Sequence, residues 1–273
     1  MLKAGFVKEL IYFTRTKKLP VLSIIILAFA VLDPLLIFGL GKMAESMGAI
    51  AENVTVSSGG AEITQVLGTV QAGFVGAMGD LTSTVALISM LMLMQAAGGE
   101  LKKRATILPN CAGLTPKYYL IPKFVVYPVY MLAATVVGML LSYVVASIIF
   151  GGSVPFSSVL LASLCGGVYA MFLNAVYLCI GLATKKAGLS VAICYGGSTI
   201  LNMVLSALGA QKFHPFALLP QAQELVYSGQ PDLLNIFGSI GVGLLLICAL
   251  YLVTLMAMTA KRIDNIGEDR GAL

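Results

Sequence analysis

Residues 124–184, FVVYPVYMLAATVVGMLLSYVVASIIFGGSVPFSSVLLASLCGGVYAMFLNAVYLCIGLAT, contain no charged side chain. One crossing of about 30 Å of hydrocarbon takes roughly 20 residues, so this run predicts two membrane helices. Gly151, Gly152 and Pro155 mark the turn between them, because glycine and proline break both regular periodicities. A tight transmembrane hairpin is expected, with spans over about 124–150 and 157–184.

The stretches on either side are basic. Upstream, Gly99–Phe124 reads GELKKRATILPNCAGLTPKYYLIPKF and carries Lys102, Lys103, Arg104, Lys117 and Lys123 against one acid, Glu100. An interval of that size and charge belongs in water, and an excess of Lys and Arg marks the cytoplasmic side. Downstream, Lys185 and Lys186 form a short second connection on the same side. Composition agrees: 59% of the 273 residues are apolar, 11% are charged and the mean hydropathy is +0.95. Soluble domains carry about 25% charged residues. The chain is therefore read as an all-α polytopic membrane protein. Its net charge of +5 lies in short intervals flanking apolar runs, the pattern of membrane orientation and not of a nucleic-acid-binding face.

The remaining chain fits four more spans, at about 19–40, 81–98, 187–210 and 233–260, in a single transmembrane domain. Residues 1–18 space Leu2, Phe6, Leu10 and Phe13 at three and four, with most charges off that stripe. They are read as a helix lying in the membrane interface, the alternative being an ordinary basic flank. The run from Leu19 is too long, and too poor in small-residue cleavage sites, for a secretory signal. Gly41–Asp80 is acidic and small-residue-rich and is assigned to the outer side. Gln211–Asp232 holds His214, Pro215, Pro220 and Pro231 among apolar residues, and is expected to dip partly into the membrane. With this topology all of the 17 Lys and Arg residues except Lys42 and Lys212 are cytoplasmic, and both termini face the cytoplasm.

Catalytic and metal signatures are absent from the sequence. There is no phosphate-binding G-x-x-x-x-G-K-[ST], no H-E-x-x-H and no C-x-x-C, and the single histidine, His214, cannot make a two-histidine metal site. With one of five cysteines in the basic loop and four in apolar runs, no disulfide framework is expected. Gly138, Ser142 and Ala146, and Gly73, Gly76 and Ala77, are read as close helix-packing positions.

Asp33, followed by Pro34, stands about 20 Å along the first span from Pro20. An ionised Asp near a helix centre costs about 2.5–3.5 kcal/mol on insertion scales, so it should be protonated, paired or turned to a polar cavity. Asp before Pro also suits a helix start, with Asp as N-cap. Both readings stand: Asp33 as part of a translocation path, and Asp33 as a cap.

The whole pattern resembles the type 2 ATP-binding-cassette permeases, the membrane subunits of exporters. The features are a basic amphipathic first segment, six spans, a cytoplasmic loop between spans two and three, and a proline-rich apolar segment before the last span. Glu100, Arg104-Ala105-Thr106, Ile107 and Leu108, Thr115 with Lys117, and Lys123 fill places comparable to that family's loop, with Ala105 where the family often has Gly and the acid one residue further from the basic position. The resemblance implies that Glu100, Lys102, Lys103, Arg104, Thr106, Thr115 and Lys117 form a coupling helix. That helix would dock on a separate ABC ATP-binding subunit, present in two copies, which would hold ATP and Mg²⁺ and hydrolyse the nucleotide; this chain would carry no cofactor and no catalysis. It implies a second permease chain, as homodimer or heterodimer, in a bacterial plasma membrane. The compact outer loops and apolar spans favour a hydrophobic or amphipathic substrate such as a drug, peptide or lipid. The alternatives are an ATPase-independent secondary transporter or channel, and plain orientation charge or anionic-lipid contact for the basic residues.

Overall fold

The computed structural model describes residues 2–46, 54–58, 61–65, 69–102, 115–207, 212–229 and 232–271. Helix α1 is Leu2–Arg15 and α2 is Lys18–Ser46. An antiparallel hairpin follows, β1 (Val54–Ser58) on β2 (Ala61–Gln65), with Val54 opposite Gln65 and Ser58 opposite Ala61. Then come α3 (Val70–Thr82), α4 (Thr84–Met92), a π-helical turn at Gln95–Gly99 and a single helical turn, α5 (Glu100–Lys102). The rest is α6 (Pro116–Phe150), α7 (Phe156–Thr184), α8 (Ala187–Ala207), a 3₁₀ turn at Pro215–Ala217, α9 (Leu218–Ser228) and α10 (Leu233–Gly271).

Apart from the hairpin the protein is all-α. Among the described residues six helical segments are long and apolar enough to cross a bilayer: Lys18–Met43, Val70–Met92, Pro116–Phe150, Phe156–Thr184, Ala187–Leu205 and Leu233–Thr259. The protein is a multi-pass membrane protein. Its central element is α7, 72% of whose apolar window is buried against 17% for α8 and for α10. A helix apolar on all sides belongs inside a bundle, and α6, α9, α10 and α8 pack around α7. Helix α2 packs on the far side, against α6 and α3.

Three expectations change. The second span starts at Val70, not Leu81: Thr69 caps it by accepting the Ala72 N–H at 3.2 Å, and the helix is redirected at Ser83 before continuing as α4. Asp80, assigned to the outer loop, therefore lies within the span. The third helix starts at Pro116, not Phe124; Pro at the first position needs no N–H donor, and Lys123 enters the helix because two carboxylates receive it (below). The last helix continues past residue 260 to Gly271.

The segment before α10 packs against α7 and α10. His214 caps the 3₁₀ turn, its Nδ1 accepting the Ala217 N–H at 3.0 Å. The Phe216 ring meets Tyr169 and Phe172 of α7 edge-on, at 6.1 and 5.7 Å. Pro215 lies beside Gly243 of α10, close enough that a Cβ on the glycine would stand 3.7 Å away. Leu233 to Gly243 is about 15 Å of helix, half the hydrocarbon thickness.

At the opposite end, the π turn rests directly on α7. A Cβ on Gly98 would stand 2.6 Å from the Gly181 carbonyl oxygen, and one on Gly181 would collide with Ala97. Two glycines are needed for backbones to approach this closely.

Candidate functional site

Glu9 of α1, Glu100 of α5 and Lys123 of α6 meet where these three elements converge. Lys123 is 0% exposed, Glu9 2% and Glu100 8%. The Lys123 Nζ stands 3.1 Å from Glu9 Oε1 and 3.2 Å from Glu100 Oε2. Tyr127 donates its hydroxyl to Glu9 Oε2 at 2.7 Å, and Tyr119 donates to Glu100 Oε2 at 3.1 Å. The Lys123 ammonium also lies over the Tyr119 ring, 5.0 Å from its centre. Lys8, half exposed, completes the group at 3.6 Å from Glu9 Oε1 and 3.5 Å from Glu100 Oε2. Two acids and two bases leave the cluster formally neutral.

The helix periodicity explains how this arises. Lys123 falls four residues after Tyr119 and four before Tyr127, so the three share one face of α6. Pro122, beside Lys123, presses on Gly5 of α1. In α1 the buried face is Glu9 and Phe13, while Leu2, Val7, Leu10 and Ile11 are exposed and form the apolar side. Phe13 packs edge-on against Tyr127 at 5.4 Å and Tyr130 at 4.9 Å. Tyr130 in turn shares a 2.7 Å hydrogen bond with Ser23 of α2 and donates to the Leu19 carbonyl at 3.2 Å. Burial pushes the Glu100 carboxyl up, but Lys123 and Lys8, with hydrogen bonds from Lys123 and Tyr119, outweigh it and hold the group below its ordinary value.

Removing two carboxylates and an ammonium from water costs several kcal/mol per ion, and mutual attraction offsets this only when the geometry is good. Breaking such a group by deleting one partner typically costs about 3–5 kcal/mol. The cluster therefore acts as a joint: α1, α5 and the start of α6 move together or not at all.

Of the residues singled out in the basic loop, Glu100 belongs to this joint, its carboxylate occupied within the chain. Thr115 and Lys117 are exposed at the start of α6, Thr115 in the extended N-cap conformation. Lys102 closes α5. Lys103, Arg104 and Thr106, with Cys111, lie outside the described residues. Beside α5 a cleft of about 340 Å³ opens between the π turn and the α7–α8 connection, lined by Gln95, Gly99, Lys185 and Lys186 among others. The Lys185–Lys186 connection thus borders a recess beside the π turn.

Asp33 is elsewhere, in the interior of α2 and 5% exposed. It does not begin a helix: α2 runs unbroken through Asp33 and Pro34.

Sequence reasoning missed Glu9, Tyr119 and Tyr127, and it put Lys123, which is buried, in a water-facing loop. The signal was present in YYLIPKFVVYP, residues 118–128, where one lysine interrupts apolar sequence and so needs a buried anion. Comparison with family models, curated proteins and solved structures finds no match for this chain.

Proposed function

We propose that this chain is the membrane-spanning permease subunit of an ABC exporter, moving a hydrophobic or amphipathic substrate on energy from ATP hydrolysed by a separate subunit. The observation that carries the reading is the Glu9–Lys123–Glu100 joint. A partner pushing on the connection that begins at Glu100 pushes at once on α1 and on α6, because Lys123 cannot part from either carboxylate without stranding a buried charge. The connection is basic, as a surface receiving a soluble partner tends to be, and the recess lined by Lys185 and Lys186 extends it. In this reading the face bearing α1 is cytoplasmic, the β1–β2 hairpin is external, and two permease chains and two ATP-binding subunits complete the transporter.

The test is purification of the chain from its native membrane in mild detergent. An ATP-binding subunit is expected to accompany it, with ATP hydrolysis in the purified material. A chain that purifies alone and hydrolysis-free under conditions that preserve its fold contradicts the proposal.

A secondary transporter is the second reading. Asp80, now within the second span, joins Asp33 as an intramembrane acid, and ion-coupled carriers place such groups along their path.

A further inference from the structure

Asp33 and Asp80 lie on the two helices of the α2–α3 contact. Ile37, one turn beyond Asp33, presses on Gly76, one turn before Asp80, which brings the two aspartates to matching levels of antiparallel helices. They are close enough for Asp80 to act electrostatically on Asp33. Asp80 accepts a hydrogen bond from Thr84 Oγ1 at 3.3 Å. Asp33 Oδ2 is fully enclosed and has no hydrogen-bond partner among the described residues. Pro34 adds a third element: lacking an N–H, it leaves the Ala30 carbonyl, four residues back in the same helix, without its usual donor.

Among the described residues neither carboxylate has an ion-pair partner. Asp80 is the one titratable residue of α3, and α4 has none. Helix α1 keeps Lys3, Lys8, Glu9, Tyr12 and Arg15 at the far end of α2. On α6, Lys117, Tyr118, Tyr119, Lys123 and Tyr127 lie at that same end, Tyr130 is bound to Ser23, and Tyr143 donates to the Val154 carbonyl at 2.9 Å. Within α2, Lys18 and Lys42 are fifteen and nine residues from Asp33, about 22 and 14 Å along the axis.

We propose that Asp33 and Asp80 form a proton-binding pair in the membrane interior, with one proton bound between them. The proton sits on Asp33, whose O–H has the Ala30 carbonyl as a ready acceptor, the same back-bond that Ser and Thr make to carbonyls three or four residues earlier. Asp80, held by Thr84, is the partner carboxylate. A proton fits better than a metal ion: two carboxylates, one hydroxyl and one carbonyl fall short of the six to eight oxygens Ca²⁺ takes, and the described residues contain no group of three metal-binding side chains. The pair makes the α2–α3 contact sensitive to proton supply, and it stands whichever transport reading holds.

Infrared spectroscopy of the full chain in lipid nanodiscs tests this. The wild type should show the carbonyl band of a protonated carboxylic acid at neutral pH, moving on ¹³C-aspartate labelling and disappearing in Asp33→Asn. Asp80→Asn, which removes the neighbouring charge, should displace the pH at which the band vanishes. Adding Na⁺, K⁺ or Ca²⁺ at neutral pH should leave the wild-type band in place. Absence of a labelled band in the wild type overturns the proposal without recourse to any variant. A band unmoved by Asp80→Asn reduces the site to a lone buried acid, and a band abolished by one of the cations makes it a metal site; either result also overturns it.

Discussion

Lys123 and Glu9 are separated by 114 positions and joined at 3.1 Å, with the lysine wholly withdrawn from solvent. The contact ties the first helix to the third apolar span. Because Lys123 also holds Glu100, one ammonium fixes the geometry of three elements.

Lys123→Met keeps the bulk of the side chain and strands two buried carboxylates, so it should destabilise the protein by about 3–5 kcal/mol. Adding Glu9→Gln and Glu100→Gln to Lys123→Met removes the stranded charge and should recover much of the loss. Denaturation in detergent, comparing single and triple variants, checks this; a Lys123→Met protein as stable as wild type contradicts the joint.

Glu100 makes the joint sensitive to acid. Its folded-state carboxyl is held below the ordinary 4.5. A depressed carboxyl contributes stability that is fully present above the unfolded value and is lost as pH falls through the folded one. The stability difference between wild type and Glu100→Gln should be constant near neutrality and shrink as the pH is lowered below 4.5. Parallel melting curves across pH read it directly; a difference independent of pH in that window contradicts the pairing.

Orientation is testable by thiol labelling. A cysteine placed at Ser58, in β1, should react with a membrane-impermeant reagent in intact cells, and Cys111 should react after the membrane is opened. The reverse pattern places the basic connections outside and removes the proposed docking face.

The spans were legible because uncharged runs longer than 20 residues have few alternatives. The two misplaced starts share a cause. A charge was taken as a mark of water, yet Asp80 and Lys123 both lie inside long helices. Lys123 is there because Glu9, more than a hundred residues earlier, neutralises it, and local composition carries no trace of so distant a partner. The stretch up to Asp80 was assigned to the outer side as acidic and small-residue-rich, yet Gly73 and Gly76, read as helix-packing positions, do pack closely: Gly73 meets Phe150 and Ala146, and Gly76 meets Ile37. Of the apolar stripe of α1, Phe13 is buried together with Glu9, whereas Leu2 and Leu10 are exposed. The cap reading of Asp33 was a local inference from Asp-Pro, and the continuous α2 shows tertiary packing overriding it.

The central claim is that the basic connection after Glu100 receives an ATP-hydrolysing partner. The most direct measurement is ATP hydrolysis retained by the chain purified from its native membrane, for the wild type and for a Lys103→Glu, Arg104→Glu double variant. Charges on a water-facing docking surface contribute little to fold stability, so on this account the variant should insert and melt like the wild type. The expected result is hydrolysis that accompanies the wild type and is lost from the variant at equal expression and stability; equal hydrolysis in both, or none with the wild type, contradicts the account.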